Sequence, residues 1–356
     1  MARQAQNMIK YIIKRILIMF PILIVVLIIT FLLSKSMDVF PVIARIGPGE
    51  NIETIQRMIE EEERRMGYDQ PVFVQLFIYL RNFFTGNWGD SYIIMRDRPV
   101  IEVIGLVFPK TLELMILPIV LIPIIAVKLG MVSSTNKDKL KDTSIRFLAV
   151  LGAGFPIFFI GNLLQIFFGF YLKEFTYSAI NVQIMFSNTP GAELSGEYYT
   201  GFRLIDAILN NDPVFFFDTI VHLIIPVICI SFASLAGITR QTRSSMLDVM
   251  DQDYIRTARA KGVPEKTVIN SHALRNALIP SSNLIITTIT GALLGSLFLE
   301  ATFQYLGFGY YFVRAVFLGD YLLINGFLVC SCLIIIGGTL ATDVIYTIID
   351  PRITYT

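Results

Sequence analysis

The run ILIMFPILIVVLIITFLL, residues 16–33, holds 18 consecutive residues without a charge. As a helix rising about 1.5 Å per residue it covers most of the ~30 Å of bilayer hydrocarbon. Lipid offers no partner to backbone N–H and C=O groups, so a run of this kind must be helical. Lys10, Lys14 and Arg15 precede it, as they would in a secretory signal. A cleaved signal has an apolar run of about 7–15 residues and ends in small residues. Ser34-Lys35-Ser36 makes a poor cleavage site, so the run reads as an uncleaved anchor.

Outward from this anchor, five more stretches are long and apolar enough to span, at about 20 or more mostly apolar residues each: residues 111–132, 147–172, 217–238, 279–299 and 322–349. The chain of 356 residues is 54% hydrophobic and only 16% charged, with a mean hydropathy of +0.64. Soluble domains carry about 25% charged residues. The expected fold is all-α: a polytopic membrane protein with six transmembrane helices and an external loop region containing short helices. A net charge of +1 gives no basic footprint for nucleic acid. Cys229, Cys330 and Cys332 all sit in apolar stretches, and His222 and His272 are the only histidines. Neither a disulfide framework nor a metal-ligand spacing can be built from them.

Basic residues set the orientation. Arg3, Lys10, Lys14 and Arg15 lie before the first span. Lys128, Lys137, Lys139, Lys141 and Arg146 follow the second, and Arg240, Arg243, Arg256, Arg259, Lys261, Lys266 and Arg275 follow the fourth. The connection after the third span has only Lys173 and Arg203, and the one after the fifth only Arg314. Both termini are therefore expected in the cytoplasm.

The first long loop contains a charged helical stretch at 49–66, ended by Gly67, and a fresh start at Asp69-Gln70-Pro71. Phe73, Leu76, Phe77, Leu80 and Phe84 then recur at spacings of three and four, marking an amphipathic helix on the membrane or against the spans. The stretch 173–216 is acidic and rich in turn signals; no chemistry can be assigned to it.

The internal stretch 241–278 says more. Residues 248–261 read as a short helix, with Asp248, Asp251 and Asp253 early and Arg256, Arg259 and Lys261 late, an order that suits the helix dipole. Gly262 fits a left-handed C-terminal position, and Pro264 the first turn of a second helix. A compact knob with Ala258 and Ala260 beside arginines suits either a partner's cleft or phosphate-bearing headgroups.

Polar residues within spans are the other candidates, because a charge in the bilayer costs about 2.5–3.5 kcal/mol on insertion scales. Asp343 stands out in the sixth span. Asn162 and Gln165 are placed to share a path-facing side or to bond a neighbouring helix. Glu300, near a span end, reads as a snorkelling side chain, and His222 as a structural histidine. Gly291-x-x-x-Gly295 permits close helix contact. A membrane enzyme is a poor fit, since no G-x-S-x-G, H-E-x-x-H or Cys-x-x-Cys occurs. An ion channel would want a polar filter or a ring of charge, which is not seen. No G-x-x-x-x-G-K-[ST] run occurs either, so the chain has no phosphate cradle for ATP.

At this point the residues resemble a known family. Asp253-Tyr254-Ile255-Arg256-Thr257-Ala258-Arg259-Ala260-Lys261-Gly262-Val263 and His272-Ala273-Leu274-Arg275-Asn276-Ala277-Leu278-Ile279-Pro280 resemble the coupling segment of permease subunits from oligopeptide and dipeptide ABC importers. The superfamily's usual Glu-Ala-Ala start is replaced by Arg256-Thr257-Ala258, as in the peptide-type branch, and Gly262 is kept. Tyr68-Asp69-Gln70-Pro71, Gly86-Asn87-Trp88-Gly89, Pro109-Lys110-Thr111-Leu112-Glu113-Leu114, His222-Leu223-Ile224-Ile225-Pro226 and Ile349-Asp350-Pro351-Arg352 extend the likeness over nearly the whole chain. Where the family commonly has Trp-Pro after Glu300, this chain has Tyr305-Leu306, and its stretch 173–216 is longer than expected.

The resemblance implies a type I ABC importer permease fold, with an anchor and large external loop over 1–106 and a transmembrane domain over 107–356. The coupling segment would lie within 248–278, carried by Asp253, Tyr254, Arg256, Thr257, Ala258, Arg259, Ala260, Lys261 and Gly262. It implies a second homologous permease, two cytoplasmic ATP-binding subunits and an extracellular or periplasmic peptide-binding protein as partners, in contact with membrane lipid. The chain itself would bind no cofactor, ATP and Mg being used by the partners. Peptides are the implied cargo, with nickel complexes or other small solutes as the alternative within the class.

Overall fold

The computed structural model describes residues 2–35, single residues between 51 and 64, 70–175 and 185–349. Among these the fold is all-α apart from one pair of two-residue strands, β1 (Asp90–Ser91) antiparallel to β2 (Arg98–Pro99). Apart from short helical pieces at Ile166–Tyr171, Leu172–Phe175, Glu265–Thr267 and Val268–Ala273, the helices are α1 (Ala2–Lys35), α2 (Val72–Phe84), α3 (Val100–Thr135), α4 (Leu140–Gly154), α5 (Ile157–Gln165) and α6 (Arg203–Leu209). They continue with α7 (Pro213–Met250), α8 (Asp253–Ala260), α9 (Leu274–Phe303), α10 (Phe308–Leu318) and α11 (Tyr321–Ile349).

Among the described residues, four helices are long and apolar enough to cross a membrane, and two bent pairs bring the number to six when each pair counts as one span. One pair corrects the reading of 147–172 as a single run. The chain turns by 104° between Leu140–Gly154 and Ile157–Tyr171. The cause is Pro156: Phe155 before it takes the extended conformation (φ −109°, ψ 140°) that a following proline enforces. The second pair bends by 42° between Glu265–Leu293 and Gly295–Phe303. The expected domain boundary at 106/107 falls inside α3, which already begins at Val100.

Helix α7 is the central post, packing on α3, α4, α5, α6 and α9. Leu114, Met115 and Ile122 of α3 meet Leu223 and Ile230 of α7 and Phe303 of α9 in the main core. A second core joins Val100, Val103 and Val107 of α3 to Phe308 of α10 and Phe327 of α11.

Helix α2 turns Gln75 and Tyr79 towards α1, where Lys35 donates to Gln75 Oε1 at 3.2 Å and Tyr79 shares a 2.9 Å hydrogen bond with Thr30. Its phenylalanine face is left open, with Phe73 86% and Phe77 67% exposed. At the far end of α2, Phe84 stacks on Phe20 of α1, ring centroids 6.1 Å apart, so the helix meets the first span there and leaves Phe73 and Phe77 open. Of the charged stretch 49–66, Glu53, Thr54, Gln56, Arg57, Glu60, Glu61 and Arg64 are helical; Gly67 and Asp69 lie outside the described residues. After α2, the loop is fastened to the α10–α11 corner. Ser91 Oγ and the Ile93 and Ile94 N–H groups all donate to Asp320 Oδ2, at 2.6, 3.1 and 3.1 Å.

Candidate functional site

Residues 253–262 form the knob that the sequence pattern outlines, with one boundary corrected. Asp248 belongs to the last turn of α7, which runs to Met250; the chain breaks at Asp251 and Gln252, and α8 starts at Asp253. Helix α8 ends in a paired-turn cap: Gly262 N donates to Arg259 O at 2.9 Å, and Val263 N to Ala258 O at 3.2 Å. These bonds satisfy two terminal carbonyls and need a left-handed residue between them. Gly262 supplies it at φ +75°. Pro264 then sits at the N-cap of the next turn rather than within it, one place from its expected position.

One side chain anchors the knob. Ile255 is fully buried with Met246 of α7 and Val268, Ala273 and Ala277 of the returning arm. Asn276 Nδ2 donates to the Tyr254 hydroxyl at 2.9 Å, and Thr257 Oγ1 to Asp253 O at 2.9 Å. Arg259 bridges the glycine turn through two hydrogen bonds to Glu265, at 3.1 and 2.7 Å. That carboxylate raises the Arg259 pKa above its ordinary value. Asp253, Arg256, Ala260, Lys261 and Gly262 stay exposed, and Ala258 is half-buried. Arg256 and Asp253 lie 3.5 Å apart in solvent, where such a pair contributes little. The result is a stiff helix held from beneath, with a polar, largely basic face open.

The candidates within the spans fare differently. Gln165 donates to Thr302 O of α9 at 2.9 Å, satisfying a terminal carbonyl of that helix, whereas Asn162 is exposed. Gln165 thus bonds a neighbouring helix, while Asn162 stays open on the surface of this chain. Asp343 lies on α11, but its side chain is outside the described residues. Among the described residues, an added Cβ at Gly291 or Gly295 would meet nothing within 4 Å, so this glycine pair makes no close helix contact there. His222 is buried, with Nδ1 2.8 Å from Asp218 O and, among the described residues, no partner for Nε2.

Glu300 corrects the snorkelling expectation, since it is fully buried. Its Oε2 accepts from Gly309 N at 2.8 Å, while Thr111 Oγ1 accepts from Phe308 N at 2.8 Å. Side chains from α9 and α3 thus cap the N-terminus of α10, which carries a partial positive charge.

At the opposite end of the bundle from α8 lies a network that the sequence pattern did not signal. Arg203, 2% exposed, pairs with Glu113 of α3 at 2.9 Å. Its other N–H groups donate to Ser187 O, to Asn188 Oδ1 and to the Tyr305 hydroxyl. Asp218 of α7 holds the same loop, accepting from Asn188 Nδ2 and Thr189 N at 3.0 Å each. Residues 186–212 are therefore clamped to Glu113 within α3, to the start of α7 and to Tyr305 just past the end of α9. Glu113 inside an apolar span and a lone arginine in an acidic stretch were the available hints.

Comparison with known proteins agrees with this architecture. Residues 126–355 match the family described as binding-protein-dependent transport system inner membrane component, and residues 8–115 match its N-terminal component. The chain is 34% identical to the oligopeptide transport system permease protein AppB of Bacillus subtilis, over 98% of this chain and 100% of that protein. It is 32% identical to the probable D,D-dipeptide transport system permease protein DdpB of Escherichia coli, over 92% of each. It is also 32% identical to the dipeptide transport system permease protein DppB of Lactococcus lactis, over 97% of this chain and 99% of that one. Carrying the matched region, the apolar helices and relatives of nearly equal length, the chain belongs to the binding-protein-dependent transport system inner membrane component family.

Proposed function

We propose that this chain is one of two membrane-spanning permease subunits of an ATP-driven importer that moves peptides into the cell. Relatives about one-third identical over nearly its whole length carry the names of oligopeptide and dipeptide permeases, which supports the cargo. The observation that carries the mechanism is the knob at 253–262, with an exposed basic face on a helix anchored by Ile255. A segment so held transmits force in either direction.

In this reading two cytoplasmic ATP-binding subunits grip that face, consume ATP and Mg, and close on each other. The knob tilts α7 and α9, and the path between this chain and a second homologous permease opens to alternate sides. An extracellular or periplasmic peptide-binding protein delivers the cargo on the opposite face. The basic residues around α8 keep that end, and both termini, in the cytoplasm.

Reconstitution in liposomes with the partner permease, both ATPases and the receptor tests the proposal. ATP-dependent accumulation of labelled di- and oligopeptides is expected, and omission of this chain should abolish it. Accumulation that is indifferent to this chain, or confined to a nickel complex, overturns it.

A further inference from the structure

A second cluster at the α8 end of the bundle lies outside residues 253–262. Asp142, fully buried in the first turn of α4, receives two hydrogen bonds of 2.8 Å each from the Arg243 guanidinium of α7. It also accepts from Ser133 Oγ of α3 at 2.5 Å and from Asp138 N at 3.0 Å, and Arg146 stands 3.6 Å away. One carboxylate thus fastens the end of α3, the α3–α4 turn and the start of α4 to a single side chain of α7. Two parallel N–H···O bonds fix orientation as well as distance.

The residue before Arg243 extends the tie. Thr242 Oγ1 donates to Ser281 Oγ of α9 at 3.3 Å, with both side chains fully buried. A Cβ on Gly130 of α3 would come within 2.6 Å of Thr242 Cβ and 2.9 Å of Thr239 O, so α3 and α7 touch backbone to side chain at this level. Helix α7 enters the knob and α9 leaves it. Thr242 and Arg243 therefore join both arms of the knob to each other and to the α3–α4 turn.

We infer that Arg243 and Asp142 are a positioning pair that makes the α3–α4 turn, the adjoining ends of α7 and α9 and the knob 253–262 move as one rigid body. Motion imposed on the knob then reaches α3 and α4 directly, rather than only the two helices that flank it in sequence. This rests on the proposed coupling role of the knob.

The test uses the assembled complex in liposomes and two readouts. First, peptide moved per ATP hydrolysed is measured for wild type, Asp142→Asn and Arg243→Lys. Both variants are expected to capture the ATPase subunits and hydrolyse ATP, while the transport ratio falls roughly 2- to 30-fold, the range typical of residues that modulate coupling between sites. Asp142→Glu, which keeps the charge, should recover part of the loss. Second, spin labels at the exposed positions Lys137 and Lys261 report their separation with and without nucleotide. The distance should stay constant in wild type and shift with nucleotide in Asp142→Asn. An unchanged ratio in both variants, or a wild-type separation that changes with nucleotide, overturns the inference. Failure of the wild-type knob to capture any ATPase subunit is a distinct outcome; it overturns the coupling reading and this inference with it.

Discussion

Arg203 Nε donates to Glu113 Oε2 at 2.9 Å although 90 positions separate them, and each side chain is only 2% exposed. Glu113 also accepts from Leu204 N at 2.6 Å, so the carboxylate holds both the side chain and the backbone of α6. Removing one member of such a pair strands a buried charge, whereas replacing both by apolar residues need not.

Arg203→Ala should therefore destabilise the chain by about 3–5 kcal/mol and expose 186–212 to protease. Arg203→Met combined with Glu113→Leu should recover most of that loss. Melting curves of the purified complex, with limited proteolysis alongside, measure both effects; equal melting of wild type and Arg203→Ala would be inconsistent with the clamp.

The capped start of α10 gives a second prediction. A Cβ on Gly309 would fall 2.3 Å from Leu297 Cα and 2.9 Å from Leu297 O, so backbone must move. Gly309→Ala should cost about 1–3 kcal/mol, as overpacking does. Gly291→Ala, with nothing within 4 Å, should change the stability of this chain by no more than about 0.5 kcal/mol. Thermal unfolding of the two variants side by side gives the comparison.

The knob separates packing from backbone conformation. Ile255→Ala empties a fully buried site and should cost about 2–5 kcal/mol, with loss of ATPase-subunit capture as α8 detaches. Gly262 has open space around its Cβ position but φ +75°, so Gly262→Ala should cost only the left-handed strain, about 1–2 kcal/mol. Gly262→Asn should cost less, because asparagine tolerates that region. Capture assays and melting of these variants should rank Ile255→Ala the worst and Gly262→Asn the mildest.

Spin labels report the placement of α2. Labels replacing Phe73 and Phe77, which are 86% and 67% exposed, should be relaxed more by lipid-dissolved oxygen than by a water-soluble paramagnetic reagent. Greater relaxation by the aqueous reagent at both positions would put this face in water instead.

The spans were legible because hydropathy is a local property, and so was the knob, whose charge order, Gly262 and Pro264 are read within a dozen residues. The 104° bend was written in Gly154-Phe155-Pro156, but an averaged window passes smoothly over it. Glu300 illustrates a different limit. Its position near a helix end suggests escape to water, and only the return of Gly309 over it turns the carboxylate into a buried cap. The pairs Arg203–Glu113 and Arg243–Asp142 join segments 90 and 101 positions apart, and nothing local in either segment announces its partner.

The central claim is that the open face of α8 is gripped by an ATP-hydrolysing subunit. A photoreactive side chain at Arg256 or Lys261 of the assembled complex tests it most directly. The predicted adduct joins this chain to a nucleotide-binding subunit, and a membrane-impermeant thiol reagent added to intact cells should fail to reach a cysteine at either position. Adducts with lipid or the external receptor alone, or labelling from outside the cell, would contradict the account.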